Sequence, residues 1–183
     1  MANPNFTKQV MFNAFKSLLE TRQFSDINIS DICQQSKLSR NSFYYHFKDK
    51  YDLVNCIFDT EFASVLKSRG DGCEDIWIFM KNLADYFYSN QEFYRKTLCL
   101  HGQNSFAEHF REYVRPAVLG QLQNHSGNDQ DYDFQQNLAT QIILLAFQMW
   151  ITGKECVTSE AFIARFKCCI QCFTGCSKHG SCC

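Results

Sequence analysis

The chain has 183 residues and a formal net charge of −1, so it is no bulk polycation of the histone kind, and any affinity for nucleic acid must come from a local patch. Hydrophobic residues make up 45% of it, enough to bury a real core, and 18 Phe make that core rich in aromatic rings. With only 8 Gly and 2 Pro, recurrent helical spacing and few alternating runs, an all-α fold is expected, as one larger domain or a small domain joined to a medium one.

The N-terminal MANPNFTKQV is polar and has no apolar signal region. No run approaches the 18 apolar residues of a membrane span, so a cytoplasmic protein is expected. Its 11 Cys are then expected to be free thiols in a reducing compartment. From Phe6 to Thr21 the spacing predicts a helix, started by Asn5 or Thr7, with Phe6, Val10, Phe15, Leu18 and Leu19 on one broad face beside Ala14. Phe24 and Ile27 should fold back onto the core. Ser30 reads as the N-cap of a short helix to about Ser36, with Ile32 and Cys33 inward. Lys37-Leu38 makes a turn, and Ser39 caps a second short helix through Arg40 to about Phe47. Leu38, Phe43 and Phe47 point inward, leaving Arg40, Asn41, Ser42, Tyr44, Tyr45 and His46 outward. Asp49 or Lys50 then starts a long helix through Leu53, Ile57, Phe58 and Phe62 towards Lys67.

Beyond the SRGDGC boundary at 68–73, helical spacing resumes with Ile76, Trp77, Met80, Leu83, Ala84 and Phe87. A short helix over Glu92–Leu100 and a longer one from about Asn104 to Leu122 follow, with Pro116 expected to kink or break the latter. The polar run 124–133 reads as a loop. Two helices, about 133–153 and 159–174, precede a frayed Cys-rich tail. The expected domains are 1–52 (DNA-binding), 53–72 (connecting helix and boundary), 73–174 (ligand-binding and dimerisation) and 175–183 (flexible tail).

Two short helices meeting at a tight turn, the second carrying an outward cluster of basic, amide and aromatic side chains, form the pattern of a helix-turn-helix whose second helix enters the major groove. The charge is placed to match. Residues 1–52 hold 7 Lys and Arg against 5 Asp and Glu, while the remainder holds 11 against 14. Arg40 offers a guanidinium fork to guanine and Asn41 an amide to adenine. Ser42 is short enough to let the helix approach. Tyr44 suits a thymine methyl or a phosphate. Tyr45, His46 and Lys50 suit the flanking backbone, with Ser30 and Ser39 at the two helix starts completing the candidate contacts. A solvated three-helix unit without nucleic acid is the plainer alternative, and the exposed Tyr44 and Tyr45 speak against it.

Residues 8–58 resemble the N-terminal domain of the TetR/AcrR family of bacterial transcriptional regulators. The resemblance is carried by Phe15 and Leu19, Ile29–Ile32, Leu38-Ser39, FYYHF at 43–47, and Lys50 with Leu53. It implies that Ser39 to His46 occupies the recognition helix and that Lys50 holds a phosphate. Where the family usually has Ala-Gly in the turn, this chain has Ser36-Lys37, so Lys37 is expected to need a left-handed backbone or a slightly different turn. Residues 73–174 resemble the family's helical regulatory domain, in helix order and in NQEFYRKTL, WITGKECVTSEAF and the last two helices. The resemblance implies a homodimer on a palindromic operator, tuned by an unknown small-molecule effector and held by no membrane.

Leu138, Ile142, Leu145, Met149 and Trp150 form one apolar stripe, and Phe162, Ile163, Phe166, Ile170 and Phe173 another. They pack either inside one subunit or, as the resemblance implies, into a four-helix bundle between two. Trp77, Met80, Phe87, Tyr94, Phe110, Tyr113, Phe147 and Trp150 line either a cavity or plain core, with His101, Arg95 and Arg111 as polar contacts. Cys168, Cys172 and Cys176 share a helical face, and Cys169 and Cys172 form a CxxC pair with His179, Cys182 and Cys183 beyond. Metal binding or redox sensing is the rival use, although the spacing is not that of a structural zinc site. No catalytic motif stands out and no cofactor is expected. The reading is a dimeric repressor released by a ligand. The alternatives are a metal- or redox-responsive regulator and an activator dependent on a protein partner.

Overall fold

The computed structural model of the protein describes residues 4–69, 75–98, 100, 105–122 and 129–174. Among them are nine α-helices, one 3₁₀ turn and no strand, as an all-α fold requires. The helices are α1 (Pro4–Thr21), α2 (Ile29–Ser36), α3 (Arg40–His46), α4 (Lys50–Arg69), α5 (Ile76–Ser89), α6 (Gln91–Thr97), α7 (Phe106–Leu122), α8 (Asp129–Thr152) and α9 (Ser159–Thr174), with the 3₁₀ turn Phe24–Asp26 between α1 and α2. The tail 175–183, with Cys176, His179, Cys182 and Cys183, lies outside the described residues, as does His101.

Helix α1 packs against both α2 and α6. Its buried positions are Met11, Phe12, Ala14, Phe15 and Leu19: the expected Ala14, Phe15 and Leu19 are inward with Leu18 against the core, but the arc extends to Met11 and Phe12, and Phe6 stands 67% exposed in the first turn. Helix α2 starts earlier than a Ser30 cap would allow. Asn28 is the cap: its side chain accepts the Asp31 N–H at 3.1 Å, and the Asp31 carboxylate accepts the Asn28 N–H at 2.9 Å. This reciprocal pair satisfies two backbone donors that no helical partner could reach. Helix α4 is capped by Asp49, whose Oδ1 accepts the N–H groups of Tyr51 and Asp52 at 2.7 and 2.8 Å. Over its 20 residues it spans roughly 30 Å. Leu53, Val54, Ile57, Phe58 and Phe62 are all closed to solvent, so α4 belongs to the cores on both sides of it.

Helix α7 runs through Pro116 without interruption, and α8 begins at Asp129, inside the polar run expected to be loop. Helices α7 and α8 pack along each other, and α5 packs on α9. One hydrogen-bonded chain crosses four helices. Lys16 of α1 reaches Glu61 of α4 at 2.6 and 2.8 Å, and the Tyr86 hydroxyl of α5 donates to Glu61 at 2.9 Å. Because that proton is committed to a carboxylate, the Tyr94 hydroxyl of α6 donates to Tyr86 at 2.7 Å. Burial first, then the neighbouring Glu61, pushes the Tyr86 hydroxyl above its ordinary range; burial and then Tyr86 do the same to Tyr94. Both stay neutral phenols.

Candidate nucleic-acid interface

Two inward rings set the orientation of α3. Phe43 is fully buried and Phe47 almost so, their centroids 5.4 Å apart, and Phe47 meets Phe12 of α1 at 6.0 Å. Spacing of four residues places both on the inner side of the helix. Arg40, Asn41, Tyr44 and Tyr45 are consequently exposed, and Ser42 and His46 half-buried. Tyr44 is 52% and Tyr45 80% exposed, a large apolar area for one surface to leave in water. Their rings are not loose: Tyr44 meets Phe43 edge-on at 5.7 Å, and Tyr45 meets His46 edge-on at 4.9 Å.

The turn before α3 adopts the tighter of the two expected conformations. Lys37 ends α2 with φ 57° and ψ 32°, the only described non-glycine residue with positive φ. Its N–H donates to Gln34 at 3.3 Å, and the Leu38 N–H donates to Cys33 at 3.0 Å. These bonds close the last turn of α2 and reverse the chain at once. Ser39 then caps α3: its hydroxyl accepts the Ser42 N–H at 3.1 Å. That oxygen is used in building the helix, whereas Ser30 stands exposed in the first turn of α2. Lys48 is exposed directly after Phe47 and adds positive charge beside α3.

Electrostatics separates the basic candidates. Burial, then the nearby Lys8, lowers the His46 pKa below its ordinary value, so the ring is neutral at pH 7 and acts there as a hydrogen-bonding group. Lys8 lies 38 positions away in the chain, and no local pattern would reveal its proximity. Lys50 does not hold its ammonium out to solvent as expected. It turns inward to the carbonyl oxygens of Phe24 at 2.7 Å and Ile27 at 2.9 Å.

Among the helices from α5 onward, the expected cavity is mostly filled. Phe87, Tyr94, Phe110 and Phe147 are fully buried, and Phe87 lies 4.2, 5.5 and 5.3 Å from the other three. Rings this close leave no room for a ligand among them. Tyr113 packs on Phe58 at 4.8 Å, and the Trp150 indole donates to Val157 at 2.8 Å. Trp77 and Met80 differ. They line an apolar hollow of about 240 Å³ with Val118, Ala139, Ile142 and Phe166. Of the expected polar contacts, Arg95 donates to Ile151 at 3.1 Å, and the buried Nε of Arg111 has no hydrogen-bond partner among the described residues.

The two apolar stripes part company. On α8, Leu138, Ile142, Leu145 and Met149 are exposed, and Phe134 extends the row at the same spacing. Trp150 is instead buried and stacks on Phe162 of α9 at 4.2 Å, so Phe162 belongs to the subunit's own core rather than to an outward face. Phe166 and Ile170 are half-buried, and Phe173 falls in the last turn of α9. Cys168 is half-buried, and Cys169 and Cys172 are exposed. Among the described residues no three His, Cys, Asp or Glu side chains come together as metal ligands would.

Known proteins resemble this chain in sequence and fold. Residues 13–57 match the family described as bacterial regulatory proteins, tetR family, and residues 75–171 match a transcriptional regulator C-terminal region of the same family. Over 92 residues the chain is 32% identical to the HTH-type dhaKLM operon transcriptional activator DhaS of Lactococcus lactis subsp. lactis (strain IL1403). That alignment spans 49% of this chain and 48% of DhaS, about half the length of each. A solved dihydroxyacetone kinase operon activator DhaS superposes with a TM-score of 0.64 at 21% identity, covering 91% of this chain and 95% of that one. A TetR transcriptional regulator from Streptococcus agalactiae 2603V superposes with a TM-score of 0.67 at 20% identity, covering 91% and 94%. At those identities the two structures speak for the fold. With one family match over the helix-turn-helix and a second over more than half the chain, this protein belongs to the TetR family of bacterial transcriptional regulators.

Proposed function

We propose that this regulator works in the cytoplasm as a homodimer, placing one α3 in each half-site of a palindromic DNA operator. The observation that carries this is the division of α3 into an inner face locked by Phe43 and Phe47 and an exposed face of Arg40, Asn41, Tyr44 and Tyr45. Arg40, Asn41 and Tyr44 read bases. Tyr45 and His46 meet the flanking phosphates, with Ser30 reaching the backbone from α2. Ser39 supports them as the helix cap, and Ser42 permits close approach.

A single short helix reads only a few base pairs, so specificity calls for two copies about 34–36 Å apart. The surface for pairing is the α8 row of Leu138, Ile142, Leu145 and Met149, with Phe166, Ile170 and Phe173 of α9 beside it. Five exposed apolar side chains in one row, Phe134 included, are more than a monomer normally leaves in water.

The effector is a small, largely apolar molecule held in the hollow lined by Trp77 and Met80. About 240 Å³ admits roughly ten non-hydrogen atoms, given that about 150 Å³ takes up benzene. Ile142 lines this hollow and also stands on the α8 row. Occupancy therefore shifts the pairing of the subunits and with it the separation of the two α3 helices. Repression relieved by the effector is the default sign. Activation is the second reading, favoured by the 32% identity to an operon activator.

Selection of bound duplexes from a random library tests the proposal. Enrichment of a palindrome bound by two chains supports it, and absence of any enriched sequence overturns it. A reporter behind the selected operator, with and without the protein, then gives the sign.

A further inference from the structure

Lys50 opens α4 just after the chain leaves α3. A surface lysine at that point would normally extend into water or towards a phosphate. Here the side chain crosses back over the domain. Its ammonium donates to the carbonyl oxygens of Phe24 at 2.7 Å and Ile27 at 2.9 Å, with that of Ser25 at 3.5 Å. An ammonium has three N–H donors: Phe24 and Ile27 take two of them in short bonds, and Ser25 lies at the outer limit for the third. Nζ also lies 4.4 Å from the centre of the Phe24 ring, within range of a cation–π contact.

The acceptors are well chosen for a cation. They sit on the 3₁₀ turn Phe24–Asp26 and the residue after it, where the Phe24 carbonyl takes only a long 3.4 Å bond from the Ile27 N–H and has a second lone pair for a cation. The turn is itself held in place: Phe24 is buried, edge-on to Phe15 at 6.1 Å and 4.9 Å from Tyr51. Burial lowers the Lys50 pKa, with Asp26 opposing, as befits a cation surrounded by protein dipoles rather than water.

The position in the chain gives this contact its meaning. Residues 28–49 hold α2, the Lys37 turn and α3. Ile27 lies immediately before that segment and Lys50 immediately after it. One ammonium therefore joins the two ends of the helix-turn-helix. We propose that Lys50 is a positioning residue that clamps the entry of the helix-turn-helix to its exit and fixes the angle at which α3 is presented, and that it does not neutralise a DNA phosphate.

The functional half of this inference rests on the DNA-binding reading; the clamp itself does not. Two variants separate clamp from phosphate anchor. Lys50→Met keeps the length and removes the donors. Lys50→Arg keeps the charge, but a planar guanidinium cannot converge on three carbonyls gathered around one atom, whereas it serves a phosphate well. The clamp predicts that both variants melt several degrees lower than the wild type. Measured well below those temperatures, both should bind the selected operator about tenfold more weakly at every salt concentration, with the slope of log affinity against log salt unchanged. The ratio of affinities for the operator and for the same duplex with one contacted base pair replaced should also narrow several-fold, which neither a lost phosphate contact nor a general loss of stability would cause.

A slope flattened by about 0.9 in Lys50→Met, full rescue by Lys50→Arg, or an unchanged specificity ratio overturns the inference. If the wild type selects no operator, the DNA-binding reading falls, while the melting temperatures still decide the clamp.

Discussion

Lys37 stands where a residue must adopt φ 57°, which costs a side chain that glycine lacks about 1 kcal/mol. Lys37→Gly is therefore expected to raise the midpoint of a denaturant titration, by less than that relief because glycine also frees the unfolded chain. Arg40 is exposed and free to meet a base edge. Arg40→Ala should cost about 1–3 kcal/mol on the selected operator and relax preference at one base position, read by repeating the selection with the variant. His46 titrates below its ordinary value because folding partly buries it beside Lys8. Sign follows directly: above that lowered pKa the ring is neutral, and below it a cation is added opposite the phosphates. Operator affinity should thus strengthen as pH falls through that lowered pKa, and His46→Gln should remove that rise in an anisotropy titration. Stability runs the other way, because the unfolded chain takes up the proton first and the fold loses the His46 contribution as pH falls.

At the scale of elements, α6 is the part of the regulatory half that grips the DNA-binding half. Lys96 of α6 donates to Leu19, and more loosely to the carbonyls of Glu20 and Arg22 at 3.3 and 3.4 Å, so a cation sits on the exposed end of α1. Phe93 of the same helix meets Phe15 of α1 edge-on at 6.2 Å. A cation at a helix C-terminus contributes about 1 kcal/mol. Lys96→Met should lower stability by that amount and, under the effector mechanism proposed above, weaken the coupling of the Trp77–Met80 hollow to α3. The measurement is the ratio of operator affinities with and without effector, which should shrink towards one. An unchanged ratio would assign the transmission to α4 alone.

Across the whole molecule, the aromatic core is closed and the outward apolar surface is concentrated on α8. Leu145 is 56% exposed at the middle of that row. Leu145→Glu removes little intrasubunit packing but sets like charges against each other across the proposed two-fold axis, so sedimentation should show monomers with an unchanged helical spectrum. A dimer that survives this substitution would place the interface elsewhere.

The helix-turn-helix was legible because its signals are local. Phe43 and Phe47 are four residues apart, Ser39 caps its helix by accepting an N–H three residues on, and Lys37 in place of the family's usual glycine left a left-handed backbone as one of two expected turns. Neighbours in sequence dictated these features, and the helical period carried the all-α fold. The tertiary structure alone decided what long-range neighbours control. It turned Lys50 to carbonyls 23 to 26 positions earlier, rotated α1 until Phe6 faced solvent, and stacked Phe162 on Trp150 within one subunit. It also filled the space between Phe87, Tyr94, Phe110 and Phe147 while leaving a hollow beside Trp77 and Met80. A periodic pattern says which side of a helix is apolar; how closely the facing side chains fill the gap, and which backbone dipoles a long cation can reach, depend on distances that only the folded chain sets.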